Sequence, residues 1–137
     1  MALLNGVLHG LKHLKQHHFT PHITLDDKLT SLDLVKIALD CSSGMKELAS
    51  HNIVHNDLAA RNLLYFISGT DHRMTIKLGD FGLAFHIEMA HKQQQLALPS
   101  QSAPEIALLG WQACSEASDV WSFGMLLDEL FTRGKSN

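Results

Sequence analysis

The 137-residue chain has only two cysteines, Cys41 and Cys114, and no Cys-x-x-Cys pair. Without that pairing there is no sign of a zinc or dithiol framework, and both thiols read as small apolar residues. Basic runs are missing as well. With a formal net charge of -3 and a pI near 6.3, the chain offers no positive field to nucleic acid or to an anionic membrane. No apolar stretch approaches the length of a membrane span. The mildly apolar residues 1–14 are interrupted by Asn5, His9, Lys12 and His13 and do not make a signal peptide. Repeats and low-complexity tracts are absent, the three glutamines at 93–95 being too few to count.

What is present suits one globular domain. Hydrophobic residues make up 45% of the chain, and at this size folding buries roughly two thirds of the unfolded surface. The ten histidines raise the question of metal binding. The nearest sets are His17, His18 and His22, or His51 with His55. Pro21 breaks helical geometry in the first, and no Cys or Glu completes either.

From Thr30 onward, Leu34, Ala38, Cys41, Met45 and Leu48 recur at three- and four-residue intervals. This spacing predicts a helix over 31–49, capped by Thr30 and Asp33 and weakened inside by Gly44. A polar stretch at 50–62 precedes an apolar run at 63–67, a turn-forming segment at 68–71 and a second run at 74–78. That order predicts a loop and then a two-stranded hairpin. Residues 79–101 show no sustained period and read as a long, functional loop. The final element, about 118–131, carries Val120, Trp121, Phe123, Met125, Leu126, Leu127 and Leu130 around most of its circumference. It predicts a helix buried on nearly all sides and ended by Gly134. The fold class expected is mainly α with a small β-hairpin.

The polar loop reads His55-Asn56-Asp57-Leu58-Ala59-Ala60-Arg61-Asn62, and Asp80-Phe81-Gly82 follows the hairpin. A carboxylate and, five residues on, a carboxamide let one loop do two jobs. Asp57 can take a hydroxyl proton while Asn62 offers a carbonyl oxygen to Mg²⁺. The hairpin then carries a second oxygen ligand, Asp80, back beside the first. Phosphoryl transfer calls for this set, because a metal must neutralise phosphate charge and a base must orient the attacking hydroxyl.

Together with Ala103-Pro104-Glu105 and the stretch 118–124, Ser-Asp-Val-Trp-Ser-Phe-Gly, these motifs resemble the protein kinase family. The resemblance covers nearly the whole chain and implies part of that family's larger, C-terminal lobe. Residues 1–28 correspond to the region after the interlobe hinge, 29–50 to a helix, 51–62 to the catalytic loop and 63–78 to the hairpin. Residues 80–105 correspond to the activation segment and 118–133 to the central helix. The resemblance implies Asp57 as catalytic base, Asn62 and Asp80 as ligands of Mg²⁺ in an ATP complex, and Glu105 as a structural anchor. Asp119 would bond the backbone of the catalytic loop. Ala59-Ala60-Arg61 is similar to the tyrosine-kinase form of the loop, with Arg61 assisting the transferring phosphate. Expected partners are therefore ATP, Mg²⁺ and a tyrosine-containing protein substrate, in an intracellular setting or in the cytoplasmic part of a receptor.

The sequence departs from the family pattern in three places. Asn56 stands where an arginine usually pairs with a phosphate on the activation segment, and no tyrosine lies between Asp80 and Glu105. A neutral amide cannot form that charge-assisted bond. Residues 98–102 lack the tryptophan usual in tyrosine kinases, and Trp111 lies too far along to replace it. No Gly-rich loop, strand lysine or partner glutamate occurs in the 137 residues. The chain then reads as a fragment, a shortened product or a degenerate descendant, inactive alone and prone to associate through apolar surface. Two other readings stand beside the kinase: a non-catalytic kinase-like binding module, and a small-molecule phosphotransferase, which the Ala-Pro-Glu and 118–124 motifs do not fit.

Overall fold

The structure is a computed structural model and describes residues 29–67, 74–92 and 101–132. Helix α1 is Ser31–Ser50. A reciprocal cap fixes its start: Thr30 Oγ1 accepts the Asp33 N–H at 3.2 Å, and Asp33 Oδ2 accepts the Thr30 N–H at 2.9 Å. Two donors that no helical carbonyl can reach are thereby paired, which is worth about 1 kcal/mol. Leu34 and Cys41 are buried, together with Ile37, which completes their three- and four-residue spacing. Ala38, Met45 and Leu48 lie half-buried along the same face.

Strands β2 (Leu63–Ile67) and β3 (Met74–Leu78) pair antiparallel, with Leu63 opposite Leu78 and Tyr65 opposite Ile76. The turn segment 68–71 lies outside the described residues. β3 lies close on α1 because Gly44 leaves room: a Cβ there would meet the Leu78 side chain at 3.1 Å. Asp40 ties the two elements, since its Oδ2 accepts the Ile76 N–H at 2.9 Å. Helix α3 (Glu116–Thr132) closes this layer with Leu126 and Leu130, both fully buried against α1 and the hairpin. Truncating Leu126 to Ala would cost about 2 to 5 kcal/mol.

The expectation that this last helix is buried on nearly all sides is corrected. Its buried residues are Ser118, Asp119, Ser122, Leu126 and Leu130, while Val120 is 60% exposed and Trp121, Met125 and Phe131 are also exposed. A helix apolar all round buries only the stripe that neighbours reach, and α1, the hairpin and the loop at 55–62 reach one side. The helix also begins two residues earlier than its sequence pattern suggests. Gly134 lies outside the described residues.

A second, smaller core forms under the long loop. Two-residue strands β1 (Ile53–Val54) and β4 (Phe85–His86) pair antiparallel, followed by a 3₁₀ stretch, Ile87–Lys92. Val54 and Phe85 pack with Ile106 of α2 (Pro104–Leu109), Trp111 and Cys114. The Phe85 and Trp111 rings meet edge to face at 6.2 Å. Strands of two residues are too short to leave a periodic signal.

Candidate active site

His55 opens the loop between β1 and β2 and is fully buried. Its Nε2 lies 3.0 Å from the Gly79 carbonyl and its Nδ1 lies 3.3 Å from the Asp57 N–H. These partners assign the proton to Nε2, which donates, and leave Nδ1 to accept. Burial holds the imidazole below its ordinary histidine pKa, against the pull of the Asp119 charge, so the neutral ring that this pattern needs is the favoured one. The ring also rests on Phe81, with centroids 5.1 Å apart.

Two residues of the site hold left-handed backbone, Asn56 at φ 64° and Asp80 at φ 56°. Asn and Asp are the side chains that tolerate this region best after glycine. The first is held from α3: Asp119 Oδ2 accepts the His55 N–H at 2.7 Å and Oδ1 accepts the Asn56 N–H at 2.9 Å. Burial raises the Asp119 carboxyl above the usual carboxylate range, and the two N–H donors pull it the other way.

A 3₁₀ turn at Ala60–Asn62 ends the loop and folds it back on Asp57. Arg61 Nη2 pairs with Asp57 Oδ1. Asn62 Nδ2 donates to the Asp57 main-chain carbonyl at 2.7 Å and to Asp57 Oδ2 at 2.8 Å. The guanidinium is half exposed, so the ion pair adds at most about 1 kcal/mol. Its value is orientation: the Asp57 carboxylate is held from two sides.

Asp80 reaches the same place through the hairpin. Beyond the Leu63–Leu78 pair, the Gly79 N–H donates to the Asn62 carbonyl at 2.8 Å. A Cβ at Gly79 would lie 3.2 Å from that carbonyl and 3.0 Å from the Leu64 side chain, so any larger residue would push the neighbours back by a few tenths of an ångström. Asp80 follows directly, its Oδ1 accepting the Gly82 N–H at 3.2 Å. The structure thus brings Asp57, Arg61 and Asn62 into contact and sets Asp80 one residue from the Asn62 backbone.

This set can accept a hydroxyl proton at Asp57 and offer oxygen to a hard cation. Asn62 uses its amide nitrogen on Asp57, which leaves the carbonyl oxygen as the group suited to Mg²⁺. Among the described residues no group of three or more His, Cys, Asp or Glu could hold a metal. A cation at Asn62 and Asp80 would therefore complete its coordination with oxygens from water or a bound phosphate, as Mg²⁺ commonly does.

Comparison with known families agrees with this geometry: residues 4–137 match the model of protein tyrosine and serine/threonine kinases. The chain belongs to the protein kinase family. It is 38% identical over 109 residues to the tyrosine-protein kinase transmembrane receptor Ror of Drosophila melanogaster. That match covers 77% of this chain and 15% of the relative's length. No helix among the described residues is long and apolar enough to cross a membrane.

Within the kinase frame, the unusual Asn56 has work that its sequence position does not reveal. Its Nδ2 donates to the Leu83 carbonyl at 3.2 Å and, more weakly, to that of Val54 at 3.4 Å. A neutral carboxamide thus joins the loop at 55–62 directly to the segment after Gly82. Its Oδ1 is buried and has no hydrogen-bond partner among the described residues. Trp111 is a core residue, buried against Phe85. Glu105 is half-buried, and residues 98–100 lie outside the described residues. Sequence reasoning also missed Glu129 of α3, whose Oε2 accepts the Ala60 N–H at 3.0 Å. Such a bond between distant residues leaves no local sequence signal.

Proposed function

We propose that this chain carries the substrate-orienting and metal-binding half of an ATP- and Mg²⁺-dependent protein tyrosine kinase site. The observation that carries the reading is the Asp57 carboxylate held between Arg61 and Asn62. Asp57 takes the proton of the attacking tyrosine hydroxyl and orients its oxygen. Arg61 lies beside that carboxylate, on the exposed side, where it can meet the tyrosine oxygen and the transferring phosphate. Asn62 and Asp80 would hold Mg²⁺, which supplies charge neutralisation for the phosphate oxygens. Tyrosine as acceptor rests on Ala59-Ala60-Arg61 and on likeness to a relative named as a tyrosine kinase.

Fixing the ATP phosphates falls to groups outside these 137 residues, because the Gly-rich loop and strand lysine do not occur among them. The setting that fits is intracellular, either cytoplasmic or as the cytoplasmic part of a receptor. The exposed apolar residues of α3 then give a surface through which the isolated chain associates. A second reading, a non-catalytic kinase-like module that binds partners, is favoured by Asn56 in place of the usual arginine.

The test joins the chain behind a tyrosine-kinase N-terminal lobe and supplies labelled ATP, Mg²⁺ and polymers containing either tyrosine or serine. Label on tyrosine that disappears with Asp57→Asn supports the kinase reading. Label on serine alone refutes the acceptor assignment. A protein that binds ATP but labels neither polymer favours the binding module.

A further inference from the structure

The turn Ala60–Asn62 has no cap of its own, since the residue before it is Ala59, extended and without a side-chain acceptor. Ala60 is buried, at 3% exposure, so its N–H, the first of the turn, must still find a partner. The partner is Glu129 Oε2 at 3.0 Å, 69 residues along the chain. The same helix holds the other end of the loop through Asp119. Between Asp119 and Glu129, α3 rises about 15 Å at 1.5 Å per residue. One helix thus grips the loop at two points, with Asp57 between them.

The residues that follow Ala60 are Arg61 and Asn62, the two that hold Asp57. We propose that Glu129 is a positioning residue for this site: by fixing the Ala60 N–H it sets the turn that keeps the Asn62 carboxamide on Asp57. The functional weight of this proposal rests on the kinase reading above, whereas its geometry does not. Leu126 and Leu130 beside Glu129 are fully buried, and they and the Asp119 bonds still anchor α3 when the Glu129 carboxylate is removed. Losing the carboxylate therefore frees the turn and leaves the helix.

The experiment follows amide exchange and side-chain resonances by NMR in the 137-residue chain, comparing wild type, Glu129→Gln and Glu129→Leu. In Glu129→Leu the Ala60 amide exchanges about tenfold faster or more, and the Asn62 side-chain amide protons move to solvent-exposed values. The amides of Leu126, Leu130 and Ile76 stay protected. Glu129→Gln, which keeps an oxygen at the same reach, restores most of both signals. If Glu129→Leu does not fold, Glu129→Ala, which also removes the acceptor, reports in its place through a several-fold faster Ala60 amide with an unchanged Leu126. The proposal is overturned by Ala60 exchange that is the same in every folded variant, by Asn62 signals that do not follow Ala60, or by uniform loosening of the whole chain. None of these readouts uses ATP, so a failed labelling assay would sink the kinase reading and leave the Glu129 geometry to be judged separately.

Discussion

Replacing Asp119 by Ala removes one side chain and strands two buried donors. The His55 N–H loses a 2.7 Å bond and the Asn56 N–H a 2.9 Å bond, in residues that are 0% and 6% exposed. Each unsatisfied buried donor costs about 1 to 3 kcal/mol, so the gross loss is roughly 2 to 6 kcal/mol. Part of this is offset, because the variant no longer buries a carboxyl whose pKa burial has raised. A net destabilisation of about 2 to 4 kcal/mol is expected on this account. Asn56 adds to it, since its left-handed backbone loses the bond that holds it. The control is Asp128→Ala, an exposed acid on the same helix, which should fall within about 0.5 kcal/mol of wild type. Urea unfolding followed by tryptophan fluorescence measures both. Midpoints for the two variants that agree within error would refute the assignment of Asp119 as the buried acceptor of this loop.

Asn56→Gly should unfold at a higher midpoint than Asn56→Val, because glycine keeps the left-handed backbone and valine cannot adopt it without strain of about 1 to 3 kcal/mol; the reverse order would refute the claim that the left-handed backbone limits this position. Because burial lowers the folded pKa of His55, its contribution to stability is present above the ordinary histidine value and is lost as pH falls from about 6.5 toward the lower folded value. The unfolding midpoint should therefore drop between neutral pH and about pH 5.5, and His55→Phe should show a shallower drop. Joined to an N-terminal lobe, the chain should keep its activity after phosphatase treatment, since Asn56 already reaches the Leu83 carbonyl without a phosphate; activity that disappears, with a phosphate mapped to Ser100 or Ser102, would refute this. The 137 residues alone should transfer no label from ATP above an Asp57→Asn control, because lost positioning of the phosphate forfeits roughly 7 to 11 kcal/mol of barrier reduction.

The elements written by local rules were legible before the fold. Thr30 and Asp33 cap α1 because their side chains reach backbone donors three residues away, and the β2–β3 pairing follows from two apolar runs separated by a short segment of turn-forming residue types. Asp57, Arg61 and Asn62 lie within five residues, so their chemistry and spacing marked them together, and the turn at 60–62 completes the contact. What the sequence could not display depends on distant residues meeting. The β1–β4 pair joins strands of two residues with about thirty between them, too short for either to show a period. The apolar circumference of α3 suggested burial all round, yet a helix buries only the faces that other elements reach, and Val120, Trp121 and Phe131 face outward. Asn56 read as a lost phosphate partner, and only packing revealed that its amide reaches the Leu83 carbonyl 27 residues away. Glu129 carried no motif at all. Its carboxylate matters because a buried N–H must be paired, and which acceptor arrives is decided by how α3 lies against the loop.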